Sequence, residues 1–221
     1  MTWVKICGMT NLEDALVAVD AGADAVGFVF YEKSPRCVSV ETAREICEEL
    51  PEGVEKVGVF VNESPQRVSE IAEATGLTAV QLHGDEYKDP ERYSAAGKLF
   101  FSLPVTQFIS DLQQPIGEFS LPKFPKSASI HLDSGMPEKR GGTGKTFAWA
   151  EARWLVSALK RLHPVVIAGG LTASNVKQAA DFLKPWGVDV ASGVETRPGK
   201  KDPEKVRAFV KAVRETDRKA S

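Results

Sequence analysis

Two apolar runs late in the chain close on residues that leave the backbone bare. Val165-Val166-Ile167-Ala168 runs into Gly169-Gly170, and Val188-Asp189-Val190-Ala191 runs into Ser192-Gly193. With small residues there, backbone N–H groups can approach an anion, and a helix starting just beyond adds its positive end. The chemistry this suits is phosphate binding. Other runs end on groups that could act on whatever a phosphate anchors. Cys7 closes Trp3-Val4-Lys5-Ile6, and Asp133 closes Ser129-Ile130-His131-Leu132.

Each of these groups has a plain reading beside the chemical one. Free cysteine is among the most buried residue types, so Cys7 is either a packed thiol or a base or nucleophile. As a base it needs help, because an ordinary thiol is only about 3% thiolate at pH 7. Lys5 lies two residues back on the same strand side, at a depth that puts its help in question. Asp133 is a cap or ion-pair partner, or else a general acid whose pKa is raised toward the working pH. Arg36, in Ser34-Pro35-Arg36, is a solvated charge or a two-pronged clamp for a carboxylate. His83, ending Gln81-Leu82-His83, is a hydrogen-bonded structural histidine or a ligand contact. His131 and His163 read as structural. Asp189 sits inside an apolar run and has to reach a polar partner or a ligand amine. Gly141-Gly142-Thr143-Gly144-Lys145-Thr146 matches only part of a P-loop, since Lys139 stands where the first glycine belongs. A mobile loop containing Gly142 and Gly144, able to fold over a ligand, is the better reading. No spacing of His, Asp or Glu suggests a metal.

For these strand ends to converge, the elements between them must alternate regularly. Apolar runs near 3–7, 25–30, 55–61, 79–84, 98–104, 129–133, 164–168 and 187–191 read as strands covered on both faces. Helical patterns fall near 11–21, 39–50, 65–75, 90–96, 151–162, 173–184 and 203–214. Thr10-Asn11-Leu12-Glu13 fits a capping box, and Ser64-Pro65, Asp89-Pro90 and Asp202-Pro203 each set a cap before a first-turn proline. The stretch 105–128, with Pro115, Pro122, Pro125 and Gly117, breaks the pattern. The expected architecture is α/β: a single-domain (βα)8 TIM barrel over residues 1–221 with an irregular fifth βα connection. In that fold the site lies at the strand C-terminal ends, and the loops after strands seven and eight often hold phosphate. Strands one and six lie well apart around the ring, so Cys7 and Asp133 would face each other across the mouth.

Bulk properties narrow the partners. The 221 residues carry a net charge of −2, with 43% hydrophobic and 26% charged residues, which points to a sizeable core and away from nucleic acid. No apolar run is long enough to span a membrane, and the N-terminus begins directly on a strand pattern without a signal peptide. Three cysteines without paired spacing argue against a disulfide framework or zinc site. A reducing, cytoplasmic setting is expected.

Taken together, Lys5-Ile6-Cys7-Gly8, Gly27-Phe28-Val29-Phe30 with Ser34-Pro35-Arg36, Gln81-Leu82-His83-Gly84, Leu132-Asp133 with Gly141 to Phe147, Ala168-Gly169-Gly170-Leu171 and Ser192-Gly193-Val194-Glu195 resemble the phosphoribosylanthranilate isomerase family of tryptophan biosynthesis. The resemblance implies an Amadori rearrangement of N-(5-phosphoribosyl)anthranilate by general acid–base catalysis, without metal or cofactor. It implies Cys7 as base and Asp133 as acid, and Arg36 on the anthranilate carboxylate. Asp189 would take the anthranilate nitrogen, and Gly169, Gly170, Ser192 and Gly193 the phosphate. His83 joins the substrate-binding set. The partner is a small phosphorylated substrate, with neither nucleic acid nor membrane, in a monomer or homodimer. One departure bears on stability: Ala148 stands where the family often has Asp, so a helix cap is expected to be missing. Other sugar-phosphate barrels fit less well, since Lys5 is the sole candidate strand-end lysine and paired acidic and histidine metal ligands are lacking.

Overall fold

A computed structural model of the chain describes residues 1–84, 90–106, 124–134 and 146–220, with the side chains of 94, 95, 219 and 220 outside that description. Eight parallel strands close on themselves. They are β1 Trp3–Cys7, β2 Ala25–Val29, β3 Glu55–Val61, β4 Ala79–His83, β5 Lys98–Pro104, β6 Ser129–Asp133, β7 Val165–Ile167 and β8 Gly187–Val190. Each pairs with the next, and β8 returns to β1 with Trp3 opposite Gly187 and Lys5 opposite Asp189. The helices around them are α1 Leu12–Asp20, α2 Val40–Glu49, α3 Pro65–Thr75, α4 Trp149–Leu159, α5 Val176–Leu183 and α6 Pro203–Ala220. The expected barrel is therefore present, with strand bounds within a residue of expectation. Of the expected irregular connection over 105–128, residues 107–123 lie outside the described residues, and so does the loop holding Gly142 and Gly144.

Residues Pro90–Ala96, expected to be helical, form a 3-10 helix. One local expectation needs correction: the cap of α1 falls on Asn11, not Thr10. Asn11 Oδ1 accepts from the Asp14 N–H at 2.9 Å, and Asn11 Nδ2 donates to Asp14 Oδ2 at 3.0 Å. Thr10 is instead committed to the carbonyl of Gly199 at 2.5 Å. Ser64 caps α3, and Asp202 Oδ1 accepts from the first-turn N–H groups of Glu204 and Lys205. As expected, α4 starts at Ala148 with no side-chain cap.

The period of two along each strand sorts the core. Outward residues such as Val4, Ile6, Phe28, Phe60, Leu82, Phe101, Ile130 and Leu132 meet the helices in one apolar cluster. The inward residues stack in layers. Ala25, Val57, Ala79, Phe100 and Val166 form an apolar layer against Trp3. Trp3 stacks on Phe100 and Trp186, and Lys98 Nζ lies 4.8 Å from the Trp186 ring while pairing with Glu55 at 2.9 Å, which closes the strand N-terminal end. Above that layer the interior turns polar, with Lys5, Gln81, Ser102, His131 and Asp189 all buried. Cys7, Val29 and Val59 then line the other end with Tyr31 and Ala191. The inner face is thus not the apolar surface that consecutive hydrophobic runs suggested.

A hairpin that the sequence did not announce follows the barrel. Strand β9 Glu195–Arg197 pairs antiparallel with β10 Lys200–Lys201. Among the described residues no helix is long and apolar enough to cross a membrane.

Candidate active site

Cys7 owes its place to a missing side chain on the neighbouring strand. A Cβ on Gly27 would stand 2.8 Å from Cys7 Sγ and 3.0 Å from Lys5 Cε, so the bare backbone lets both point into the barrel. Lys5 is fully buried, and its Nζ donates to Asp189 Oδ2 at 3.0 Å. Burial opposes the charge on Lys5, but Asp189 and Cys7 outweigh it and hold the ammonium above its usual range. Burial likewise pushes the Cys7 thiol up, and Lys5 pulls it back only in part. Lys201 braces the same strand end, donating from Nζ to the Cys7 carbonyl at 2.5 Å and to Glu195 Oε1 at 2.9 Å.

Arg36 reaches this end across Gly8. Gly8 has φ +84°, and a Cβ there would lie 2.7 Å from Arg36 Cδ, so glycine is needed for both conformation and space. The guanidinium forms the two-pronged clamp its chemistry favours, but on a carboxylate of its own chain. Nε donates to Glu195 Oε1 at 2.9 Å and Nη2 to Glu195 Oε2 at 2.7 Å. The pair raises Arg36 further above its ordinary range. It also helps hold the Glu195 carboxyl below its own, against the opposing effect of burial. Nη1 has no partner among the described residues.

On the far side, Gln81 Nε2 and Ser102 Oγ each lie 2.9 Å from His83 Nε2, and Gln81 Nε2 donates to Ser102 Oγ at 2.9 Å. His131 is fully buried, and burial followed by the nearby Lys5 charge drives its pKa well down. Its 3.6 Å approach to Asp189 Oδ2 is therefore that of a neutral imidazole, not an ion pair. Asp189 Oδ1, Gln81 Oε1, Ser129 Oγ and both His131 ring nitrogens are buried without a hydrogen-bond partner among the described residues. Asp189 thus holds Lys5 with one oxygen, while the other has no hydrogen-bond partner among the described residues.

Asp133 is half-buried at the end of β6, with Ser134 Oγ 3.4 Å from its Oδ1. The glycine pair presses directly on it. A Cβ on Gly169 would lie 2.8 Å from Asp133 Oδ1, 2.6 Å from Ser134 N and 2.2 Å from Ser134 Oγ, and φ at Gly169 is +84°. A Cβ on Gly193 would come within 1.9 Å of the Leu171 carbonyl, so the loops after β7 and β8 are in contact. Asn175 fixes the first of these loops, accepting from Thr172 N at 2.8 Å and donating to Gly170 O at 3.0 Å. The N–H groups of Gly169, Gly170, Ser192 and Gly193 find no acceptor among the described residues, which suits an anion. Gly169→Ala is expected to cost about 2–4 kcal/mol, from left-handed strain plus overpacking. It should also raise KM by displacing the wall that Asp133 leans on. Urea unfolding and steady-state kinetics on the variant check both.

The structure gathers Cys7, Arg36, Asp133, Asp189, His83, Gly169, Gly170, Ser192 and Gly193 at one end of the barrel, and Gly142 and Gly144 lie outside the described residues. Sequence reasoning missed Glu195, Lys201, Gln81 and Ser102 as parts of this site. A signal existed for Glu195, a lone acid behind Gly193-Val194 and ahead of the Pro198-Gly199 turn. Nothing marked Ser102. Among the described residues no group of three or more His, Cys, Asp or Glu is placed to hold a metal, and all three cysteines are free.

A family model described as N-(5'phosphoribosyl)anthranilate (PRA) isomerase matches residues 4–212. An N-(5'-phosphoribosyl)anthranilate isomerase of Rubrobacter xylanophilus is 45% identical over 216 residues, covering 97% of this chain and 100% of its own. Among solved structures, monomers generated from the dimeric phosphoribosylanthranilate isomerase of Thermotoga maritima superpose with a TM-score of 0.79 at 38% identity, covering 97% of this chain and 100% of theirs. A phosphoribosyl anthranilate isomerase in complex with reduced 1-(o-carboxyphenylamino)-1-deoxyribulose 5-phosphate superposes with a TM-score of 0.78 at 38% identity and the same coverage.

Proposed function

The chain belongs to the N-(5'-phosphoribosyl)anthranilate isomerase family, and on that premise we propose how its barrel mouth does the chemistry, with Cys7 as general base and Asp133 as general acid. The reaction is the isomerisation of N-(5-phosphoribosyl)anthranilate to 1-(2-carboxyphenylamino)-1-deoxyribulose 5-phosphate, a step of tryptophan biosynthesis. The observation that carries the residue roles is convergence. A thiol on β1, a carboxyl on β6 and a bare double loop after β7 and β8 meet at one strand end.

The phosphate sits on the unused N–H groups of Gly169, Gly170, Ser192 and Gly193. Because Gly169 backs Asp133, anchoring the phosphate sets the sugar against the acid. Asp133 gives its proton to the ribose ring oxygen, the C1–O bond breaks, and the nitrogen lone pair closes an iminium. The Cys7 thiolate takes the C2 proton, and the electron pair runs into the iminium to give an enolamine. That species tautomerises to the ketone. The iminium is the electron sink, so a modest base suffices. Asp189 Oδ1 accepts from the anthranilate N–H, Arg36 faces the anthranilate carboxylate through Nη1, and His83 borders the ring side of the site. We take residues 1–221 as one domain, working in the cytoplasm as a monomer or homodimer.

The direct test is turnover of freshly generated phosphoribosylanthranilate, followed by its fluorescence decay with EDTA present. Rapid decay that ignores the chelator is the expected result. No decay from folded protein would overturn the reading and turn attention to other sugar phosphates.

A further inference from the structure

We propose that Lys5 is a positioning residue for Cys7, holding a positive charge against the sulfur so that the thiolate forms there. The proposal rests on Cys7 being the base, and its geometry is independent of that role. Lys5 and Cys7 share β1 and the same inward face, and both crowd the space that a Gly27 side chain would fill. Asp189 fixes the ammonium at 3.0 Å from the neighbouring strand. A lysine buried this deeply needs a counter-charge, and Asp189 supplies one while leaving other ammonium hydrogens to face the thiol.

The charges around Cys7 come from each element packed on it. Lys5 faces it from β1 and Asp189 from β8. Lys201, from β10, holds its carbonyl. Arg36, paired with Glu195, crosses Gly8. β2 and β3 present Gly27, Val29 and Val59, which carry no charge. His131 on β6 is neutral below Asp189. Of these cations Lys5 has the largest effect on the thiol. Its depth on the strand left its help in question; the missing side chain at Gly27 lets both side chains crowd the same space.

The test is the pH dependence of Cys7 alkylation by iodoacetamide, read by peptide mass spectrometry so that exposed Cys37 serves as an internal reference. In Lys5→Met, Cys7 should react at least tenfold more slowly than in the parent at any pH below the parent thiol's pKa, a shift of a unit or more, with Cys37 unchanged. Lys5→Met leaves Asp189 unpaired and can fail to fold. Lys5→Met with Asp189→Asn removes both charges together, which buried sites tolerate better. In that protein the drop should be at least threefold, smaller because an opposing anion is gone too. An unshifted Cys7 profile in either folded variant overturns the proposal. If alkylation shifts while the pH profile of kcat/KM in Lys5→Met does not, Lys5 still tunes the thiol and it is the assignment of Cys7 as base that falls.

Discussion

Cys7→Ala and Asp133→Asn are each expected to lower kcat at least a hundredfold while leaving affinity for a product analogue within a few-fold of the parent. General acid and base contributions of about 10²–10⁴ correspond to roughly 2.7–5.4 kcal/mol of barrier. Asparagine keeps the shape at Asp133 and its place beside Gly169, but it has no carboxyl proton to give the ring oxygen. Alanine at position 7 removes the only atom on β1 able to accept the C2 proton at the mouth. Both residues act on atoms that change only on the way to the transition state, so the loss should fall on kcat and not on binding. Neither substitution removes a phosphate or carboxylate contact. Steady-state kinetics with a titration of a reduced product analogue separates the two quantities. Turnover near that of the parent in either variant would sink the acid–base assignment.

How much of this was readable beforehand follows a physical line. Strand positions were legible because most of the strands carry successive apolar residues, as in Ala25–Val29 and Val165–Ile167. Gly169-Gly170 and Ser192-Gly193 were legible because bare backbone at a strand end has few other uses. The pairings were not. Lys5 with Asp189 joins the first strand to the last across the barrel seam, and only closure of the ring makes them neighbours. Glu195 was invisible as the holder of Arg36 because the partners lie far apart in sequence and meet through a five-residue hairpin pair too short and too polar to show a strand period. The polar interior of Gln81, Ser102 and His131 was hidden for a related reason. Gln81 and Ser102 are each a single polar residue among apolar neighbours, and His131 shares its face with Ser129 and Asp133; which face points inward depends on register that the pattern alone does not set.

Arg36→Met is expected to raise KM about 10–100-fold, more than any other single change at the mouth. A charge-assisted hydrogen bond to a ligand carboxylate contributes about 1.5–3 kcal/mol. The result needs a control, because Arg36 already holds Glu195. Their side chains are 11% and 4% exposed, and breaking so buried a pair by removing one partner costs about 3–5 kcal/mol. A rise in KM could then come from a disturbed hairpin, since Glu195 also holds Lys201, which braces the Cys7 carbonyl. Glu195→Gln with Arg36 kept decides between the two, because it weakens the carboxylate's hold on both Arg36 and Lys201 and leaves the guanidinium at the mouth. If Nη1 binds the ligand carboxylate, KM should rise far more in Arg36→Met than in Glu195→Gln, because only the first removes a contact to substrate. If Arg36 only orders the hairpin, the two variants should raise KM alike. Unchanged KM and kcat in Arg36→Met itself would remove the guanidinium from the site altogether.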